Sequence, residues 1–111
     1  MKIEYKKLKN ENEIEYQIVN FDYFDGDKYL FNIFSNLFGA LILEENDFIW
    51  FKTLKIKCVE EIYILQWHED IGNSIKFISK NIEQEKIAEN RIIKVIEELN
   101  KIILSKDLRK D

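Results

Sequence analysis

Apolar and polar residues alternate near the start of the chain in a pattern typical of two paired β-strands. The alternation runs through residues 2–9, stops at residues 10–12, and resumes with apolar side chains at Ile14, Tyr16 and Ile18. The interruption is Asn-Glu-Asn, a polar stretch that favours a turn. The sequence therefore predicts a hairpin with one apolar face and one charged face.

The apolar period changes at Asp27 from alternation to the spacing of a helix. The stripe consists of Leu30, Ile33, Phe34, Leu37, Phe38 and Leu41. This spacing predicts an amphipathic helix, with Asp27 as a cap at its start and Gly39 at its end. The alternation of Tyr29, Phe31 and Ile33 leaves a strand as the alternative.

The middle of the chain contains strand-like segments separated by polar residues. Residues 40–43 form a short apolar run, and residues 45–47 (Glu-Asn-Asp) predict a turn. The next strand is indicated by apolar residues of one parity: Phe48, Trp50, Leu54, Ile56 and Cys58. Residues 62–67 are apolar at both parities, which predicts a central strand covered on both faces.

The segment after this central strand is ambiguous. Residues 69–74 include Gly72 and Asn73 and predict a turn. Residues 75–79 fit a last strand, but a helical reading is also open because four isoleucines fall at helical spacing: Ile71, Ile75, Ile78 and Ile82.

The end of the chain carries the clearest helical pattern. Its apolar stripe consists of Ala88, Ile92, Val95, Ile96, Leu99, Ile102 and Ile103. Asn81 followed by Gln84 has the form of a capping box at the start of the helix. We expect residues 106–111 to be a frayed tail.

Together these elements predict an α+β fold for residues 1–111 as a single domain. We expect an antiparallel sheet with one internal helix and a long C-terminal helix packed across one face. If the other face is uncovered, exposed aromatic side chains there would mark an interface.

Charge is distributed unevenly along the chain. Residues 10–47 hold nine acidic side chains against one lysine, a net charge of −8, whereas the whole chain has −4. Eight of the 15 aromatic residues lie in the same segment. This combination favours a surface that binds a basic protein and argues against direct contact with nucleic acid, which requires Lys and Arg. The alternative is a solvated acidic face over an aromatic core.

Candidate chemistry is sparse. His68 stands beside Glu69 and Asp70, but no nucleophile motif accompanies it, and the pattern favours a solvated polar turn after a central strand over a catalytic site. One His and one Cys are too few for an ordinary zinc site, and the aspartates around Gly26 do not match the spacing of a calcium loop. We therefore predict no catalytic residues, no metal and no cofactor.

The N-terminus and the single cysteine bear on location. The first residues have no apolar signal-peptide core, and no apolar run is long enough to span a bilayer. One cysteine cannot form an intramolecular disulfide, which agrees with a reducing compartment. We expect a soluble cytoplasmic protein that has no contact with a membrane.

In its size, its acidity and its lack of a catalytic motif, the whole chain resembles the small cytoplasmic immunity proteins of bacterial polymorphic toxin and contact-dependent inhibition systems. The resemblance implies a non-enzymatic inhibitor that neutralises a basic, nuclease-type toxin domain. We expect the partner-binding residues to be Glu13, Glu15, Asp22, Tyr23, Asp25 and Asp27.

Other functions are also compatible with the sequence. An acidic protein can block a nucleic-acid-binding enzyme by mimicking the charge of nucleic acid, and apolar helix faces can assemble a structural subunit. The chain is expected to be a monomer or a homodimer. An enzyme that uses His68 is the remaining alternative.

Overall fold

Six strands and two helices form the part of the chain that the structure describes. The computed structural model gives the backbone of residues 2–106 and the side chains of residues 2–103. In chain order the elements are β1 (Glu4–Asn10), β2 (Glu13–Val19), α1 (Gly26–Phe38), β3 (Leu41–Asp47), β4 (Phe51–Cys58), β5 (Glu61–His68), β6 (Gly72–Ile78) and α2 (Ile82–Lys106). Of the predicted tail, residues 107–111 lie outside the described residues.

All six strands belong to one antiparallel sheet with the order β1-β2-β6-β5-β4-β3. The predicted α+β fold, with one internal helix and a long C-terminal helix, is confirmed. The N-terminal hairpin also forms as predicted, and residues 10–12 connect β1 to β2. Residues 75–79, which the sequence left ambiguous, belong largely to strand β6.

Both helices lie on one face of the sheet, here called the helix face. Phe34 of α1 packs on Tyr63 of β5, with ring centroids 5.2 Å apart. Arg91 of α2 donates a 2.6 Å hydrogen bond to Glu61, which shares the parity of Tyr63 on β5. Because alternate residues of a strand point to the same face, the two helices cover the same side.

The other face of the sheet, the open face, is not covered by any element of residues 2–106. Opposite residues in paired strands share a face, and the registers place these side chains on it: Glu13, Glu15, Gln17, Lys55, Lys57, Ile62, Ile64, Gln66 and Lys76. The predicted burial of β5 on both faces is therefore wrong, since Ile62 and Ile64 are only partly buried. Most aromatic residues point into the core instead of marking this face.

The core lies between the sheet and the two helices. Its largest fully buried side chains include Tyr16, Tyr63, Phe21, Phe34 and Phe77. Burying one large apolar side chain contributes about 1.5–3 kcal/mol. The predicted stripe of α2 is buried here at six positions: Ala88, Ile92, Val95, Ile96, Leu99 and Ile103.

The residues that cap the two helices are the predicted ones, with one exception. Gly39 ends α1 in the left-handed conformation (φ +69°), as predicted, and its N–H donates to the Ser35 carbonyl. The capping residue of α1 is Asp25 and not Asp27, which lies in the first turn. At the start of α2, Asn81 Oδ1 accepts from Gln84 N–H at 2.8 Å, and Gln84 Oε1 accepts from Lys80 N–H at 3.1 Å. These two bonds confirm the predicted capping pair.

The boundaries of β3 and β4 differ from the predicted ones. Residues 45–47 continue β3, because each has a partner on β4, and the turn follows at residues 48–50. Phe48 and Trp50 are therefore exposed turn residues and not members of the buried parity. The buried parity of β4 begins instead at Lys52, a residue whose charge hides its position in a hydrophobicity pattern.

Strand β1 is tied to α2 by a cluster of charges on the helix face. Lys7 Nζ lies 3.1 Å from Glu85 and 2.7 Å from Glu89, and Lys9 Nζ lies 2.9 Å from Glu85. Hydrogen bonds from Lys9 and then Lys7 hold the pKa of the Glu85 carboxyl below its ordinary value. Neither helix of the described chain is long and apolar enough to cross a membrane.

Acidification is expected to remove the stabilisation that Glu85 provides. Because the folded-state pKa of Glu85 is lowered, its contribution is present above the unfolded pKa of about 4.3 and is lost as pH falls through the folded pKa. Glu85→Gln should therefore be less stable than the wild type at pH 7, and the gap should close in acid. Urea unfolding at pH 7 and at an acidic pH below the folded-state pKa of Glu85 measures the difference in stability between the two proteins. Glu97→Gln on the same helix is the control. An equal gap at both pH values would contradict the assignment.

Candidate functional site: the acidic end of the sheet

Three connecting segments meet at one end of the sheet, where β2 and β3 end and β4 and β6 begin. They are the loop of residues 20–25, the β3–β4 turn at residues 48–50 and the β5–β6 turn at residues 69–71. The two turns are joined by a hydrogen bond from Glu69 N–H to the Trp50 carbonyl (3.0 Å). We call these segments, together with Asp47, the acidic end.

The acidic end combines negative charge with exposed apolar side chains. Its exposed carboxylates are Asp22, Asp25, Asp47, Glu69 and Asp70. Its exposed large apolar residues are Phe24, Phe48, Ile49, Trp50 and Ile71. None of residues 20–25, 47–51 and 67–71 is Lys or Arg. The negative charge of this surface is therefore not compensated within the segments that form it.

The backbone of the loop of residues 20–25 is held by hydrogen bonds from side chains of β5 and β6. The side chain of Asn73, fully buried at the start of β6, donates from Nδ2 to the carbonyls of Phe21 and Tyr23, both at 3.0 Å. Trp67 Nε1 donates to the intervening Asp22 carbonyl at 3.3 Å. A Cβ at Gly26 would collide with the side chain of Asn73, which its two hydrogen bonds hold in place, so the close approach of α1 requires glycine there. The backbone beneath the exposed side chains is thus fixed.

Removing Asn73 is expected to loosen this loop. Asn73→Ala leaves buried carbonyl groups without their donor, which costs about 1–3 kcal/mol in the free energy of unfolding. Because Gly26 N–H donates to the Tyr23 carbonyl, its amide hydrogen should exchange faster in the variant. Native-state hydrogen exchange measures this, with Asn36→Ala on the exposed side of α1 as control. Unchanged protection of Gly26 would show that the side chain does not hold the loop.

The exposed ring of Phe24 rests on a buried ion pair. Lys52 Nζ lies 3.2 Å from Asp27 Oδ1 and 3.9 Å from the centroid of the Phe24 ring. Trp67 contacts the same ring edge to face, with centroids 4.9 Å apart. The lysine supplies a cation–π contact while its charge is neutralised by Asp27. Phe24 is consequently positioned although 54% of it is exposed.

The predicted partner-binding residues lie in different places. Asp22 and Asp25 are exposed in the loop of residues 20–25, and Tyr23 is half buried against Phe21, with ring centroids 5.2 Å apart. Asp27 is only 2% exposed and forms the ion pair with Lys52. Its assignment to the partner-facing surface is corrected for that reason, since its carboxylate is already used inside the protein.

Glu13 and Glu15 lie away from this site, on the open face of β2. Six residues of extended strand, about 20 Å, separate the start of β2 from its end beside residues 20–25. Glu13 pairs with Lys76 at 3.4 Å, and Glu15 lies opposite the same lysine in the register. A nearby cation therefore offsets part of their charge, and the structure does not bring them together with Asp22 and Asp25.

The sequence interpretation missed the part of the acidic end contributed by the two turns. Residues 48–51 (Phe-Ile-Trp-Phe) are four consecutive large apolar residues, and such a run resembles a buried strand. Their position after Asp47 was the available signal, because an acidic residue directly before an apolar run also fits an exposed turn. The sequence places Glu69 and Asp70 in a turn beside His68 but carries no signal that joins them to this surface.

His68 and Cys58, the candidate reactive groups in the sequence, take part in hydrogen bonding and packing within the protein. His68 Nδ1 accepts a hydrogen bond from Asp70 N–H at 3.1 Å, and its ring contacts Phe51. That nitrogen is an acceptor within the turn and is not oriented by a carboxylate. Cys58 is buried, and burial raises the pKa of its thiol to about 11, so the thiol is protonated at neutral pH. Within residues 2–103, no group of three His, Cys, Asp or Glu side chains is arranged to hold a metal ion.

Comparison of the chain with protein-family models, with curated proteins and with solved structures finds no significant match. The geometry of the acidic end is therefore the basis for any statement about function.

Proposed function

We propose that this chain is a non-enzymatic inhibitor that binds a basic protein through the acidic end. In the form suggested by its overall character, it is an immunity protein that neutralises a basic, nuclease-type toxin domain by occluding it. The observation that carries the proposal is the group of five exposed carboxylates, without Lys or Arg in the same segments, around exposed aromatic rings.

Electrostatics supports a basic partner. A surface of one sign attracts an oppositely charged protein during diffusion and accelerates association, and this effect weakens with ionic strength. The substrate groove of a nuclease is lined by Lys and Arg because it binds phosphates. Carboxylates at the acidic end can pair with those cations, which would exclude nucleic acid from the groove. An inhibitor of this kind acts in the cytoplasm, where the nucleic acid is.

The exposed rings support a protein partner over a purely electrostatic contact. Trp and Phe dominate the energetics of protein interfaces when they enter apolar pockets of the partner. Phe24 is held by Lys52 and Trp67, and Phe48 stacks on Phe51 with centroids 6.2 Å apart. Side chains that are already ordered lose less conformational entropy on binding.

A tagged pull-down from the native host tests the proposal. The bound fraction is washed at low and at high salt, and the proteins that co-purify are identified by mass spectrometry. We expect a stoichiometric basic partner that is released by salt, and its identity would separate a toxin from a host enzyme. Recovery of the tagged chain alone at both salt concentrations would contradict the proposal.

A further inference from the structure

The edge strand β3 presents an unpaired side to solvent. It is the last strand of the sheet, paired with β4, and all seven of its residues are exposed. Its first three residues, Leu41, Ile42 and Leu43, are large and apolar. The free N–H and C=O groups of an edge strand are a template for pairing with another chain, especially where the strand is apolar.

The opposite edge of the sheet is protected in a way that β3 is not. Strand β1 carries Lys6, Lys7 and Lys9, and lysines discourage edge-to-edge pairing. Strand β3 has no lysine, and its charges are the carboxylates of Glu44, Glu45 and Asp47, which disfavour pairing with an acidic strand but not with a basic one. Its one irregularity is a bulge between Ile42 and Glu44. Beyond the bulge the register is continuous as far as Asp47, so this half of the edge keeps the geometry that a further strand requires.

The charge of β3 indicates what kind of strand fits it. Glu44, Glu45 and Asp47 are exposed, the strand has no basic residue, and no ion pair within residues 2–103 uses these three carboxylates. Lys55 lies opposite Glu44 in the register and offsets part of its charge. Glu45 lies opposite Leu54, and the Lys52 opposite Asp47 is already paired with Asp27. A second copy of β3 paired antiparallel along its full length would place Glu44 against Glu44 and acids against Leu41 and Leu43. Like charges directly opposite one another destabilise a pair of strands, so the complementary strand is basic.

Three side chains of β3 lie on the helix face. They define which residue types an added strand needs at the positions opposite them. The register places Ile42 opposite Ile56, Glu45 opposite Leu54 and Asp47 opposite Lys52. The apolar position is therefore at the start of β3, and the acidic positions lead directly into the acidic end. A strand added here would continue the proposed interface without a break.

We propose that the basic partner binds by strand addition, with an extended segment that pairs antiparallel to β3 as a seventh strand. An apolar side chain of that segment packs against Ile42, and its Lys or Arg side chains lie beside Glu45 and Asp47. This inference rests on the proposed function for the identity of the partner, whereas the pairing itself is a property of the β3 edge.

The probe for the test is a pool of synthetic ten-residue peptides in which three successive positions of one strand face carry Lys or Arg, again Lys or Arg, and then Val, Ile or Leu, with Thr at the positions between them. Its control is the same pool methylated at every backbone nitrogen, which keeps the charge and removes the donors. Peptide binding is followed at physiological salt by calorimetry and by hydrogen exchange of the full chain. We expect slower exchange of amides within residues 41–47 with the first pool and none of this protection with the second.

Two exposed isoleucines supply the matched protein variants. Ile42 on β3 is 48% exposed and Ile87 on α2 is 46% exposed, so a lysine at either position should have a similar effect on folding. Ile42→Lys should weaken binding of the peptide pool by at least about tenfold, and Ile87→Lys should leave it unchanged.

Other outcomes would overturn strand addition at β3. Equal binding of the two pools would mean that charge alone attracts the peptides, and protection confined to other strands would place the contact elsewhere. A wild-type homodimer in sedimentation that Ile42→Lys dissociates would assign the edge to a second copy. None of these results contradicts the proposal that the acidic end binds a basic protein, because the pull-down tests that surface separately.

Discussion

Lys52→Met should lower the free energy of unfolding by about 3–5 kcal/mol, because it leaves a buried carboxylate without its partner. Lys52 and Asp27 are 4% and 2% exposed, and their charged atoms lie 3.2 Å apart. Urea unfolding measures the loss. Lys55→Met on the same strand is the control, since Lys55 is exposed and its replacement should change stability by less than about 0.5 kcal/mol.

The double variant Lys52→Met, Asp27→Leu separates the ion pair from the packing around it. Replacing both partners of a buried pair by apolar residues often restores stability, so we expect at least half of the loss to be recovered. The loop of residues 20–25 should still be less well ordered than in the wild type, because Phe24 loses the cation that lies 3.9 Å from its ring centroid. A double variant no more stable than Lys52→Met would show that the loss came from packing and not from the uncompensated carboxylate.

Trp50→Ala should reduce affinity for the partner recovered by pull-down by about 30-fold or more, which corresponds to a hot-spot contribution of about 2 kcal/mol. The indole is exposed at the tip of the β3–β4 turn, so its truncation should scarcely affect stability. Calorimetric titration of the partner measures the affinity, and thermal unfolding of the free variant checks the fold.

Ile82→Ala is the control for the truncation of Trp50. The two side chains are 60% and 58% exposed, respectively, but Ile82 begins α2, away from the acidic end. Its replacement should leave affinity unchanged. A Trp50→Ala protein that binds as tightly as the Ile82→Ala protein would remove the aromatic part of the proposed interface.

The fold was predictable where a single period dominates the sequence. The stripe of α2 and the hairpin of β1 and β2 have long regular patterns and clear turn residues, and both form as predicted. The boundary between β3 and β4 was not predictable in this way. Residues 45–47 have turn-like composition but lie in an edge strand, where every side chain reaches solvent and polar residues carry little penalty.

The candidate site was predictable only in part, because it depends on which strand ends meet. Asp22 and Asp25 were identified from local charge, and both are exposed. Asp27 has the same local signal but is buried, because Lys52, 25 positions further along the chain, is brought beneath it by the sheet. The turn residues at 48–50 and 69–71 join the site through the same long-range pairing, which no local pattern encodes.

The most direct test of the central claim, that the acidic end binds a basic protein, is quantitative capture from the native host at low salt by three tagged proteins. These are the wild type, an acidic-end variant (Asp22→Asn, Asp25→Asn, Asp47→Asn) and a variant with the same charge change elsewhere (Glu11→Gln, Glu60→Gln, Glu97→Gln). All six positions are exposed. We predict that the wild type and the variant changed elsewhere capture a basic partner. The acidic-end variant should capture at least about tenfold less of that partner. Equal capture by all three proteins would contradict the account.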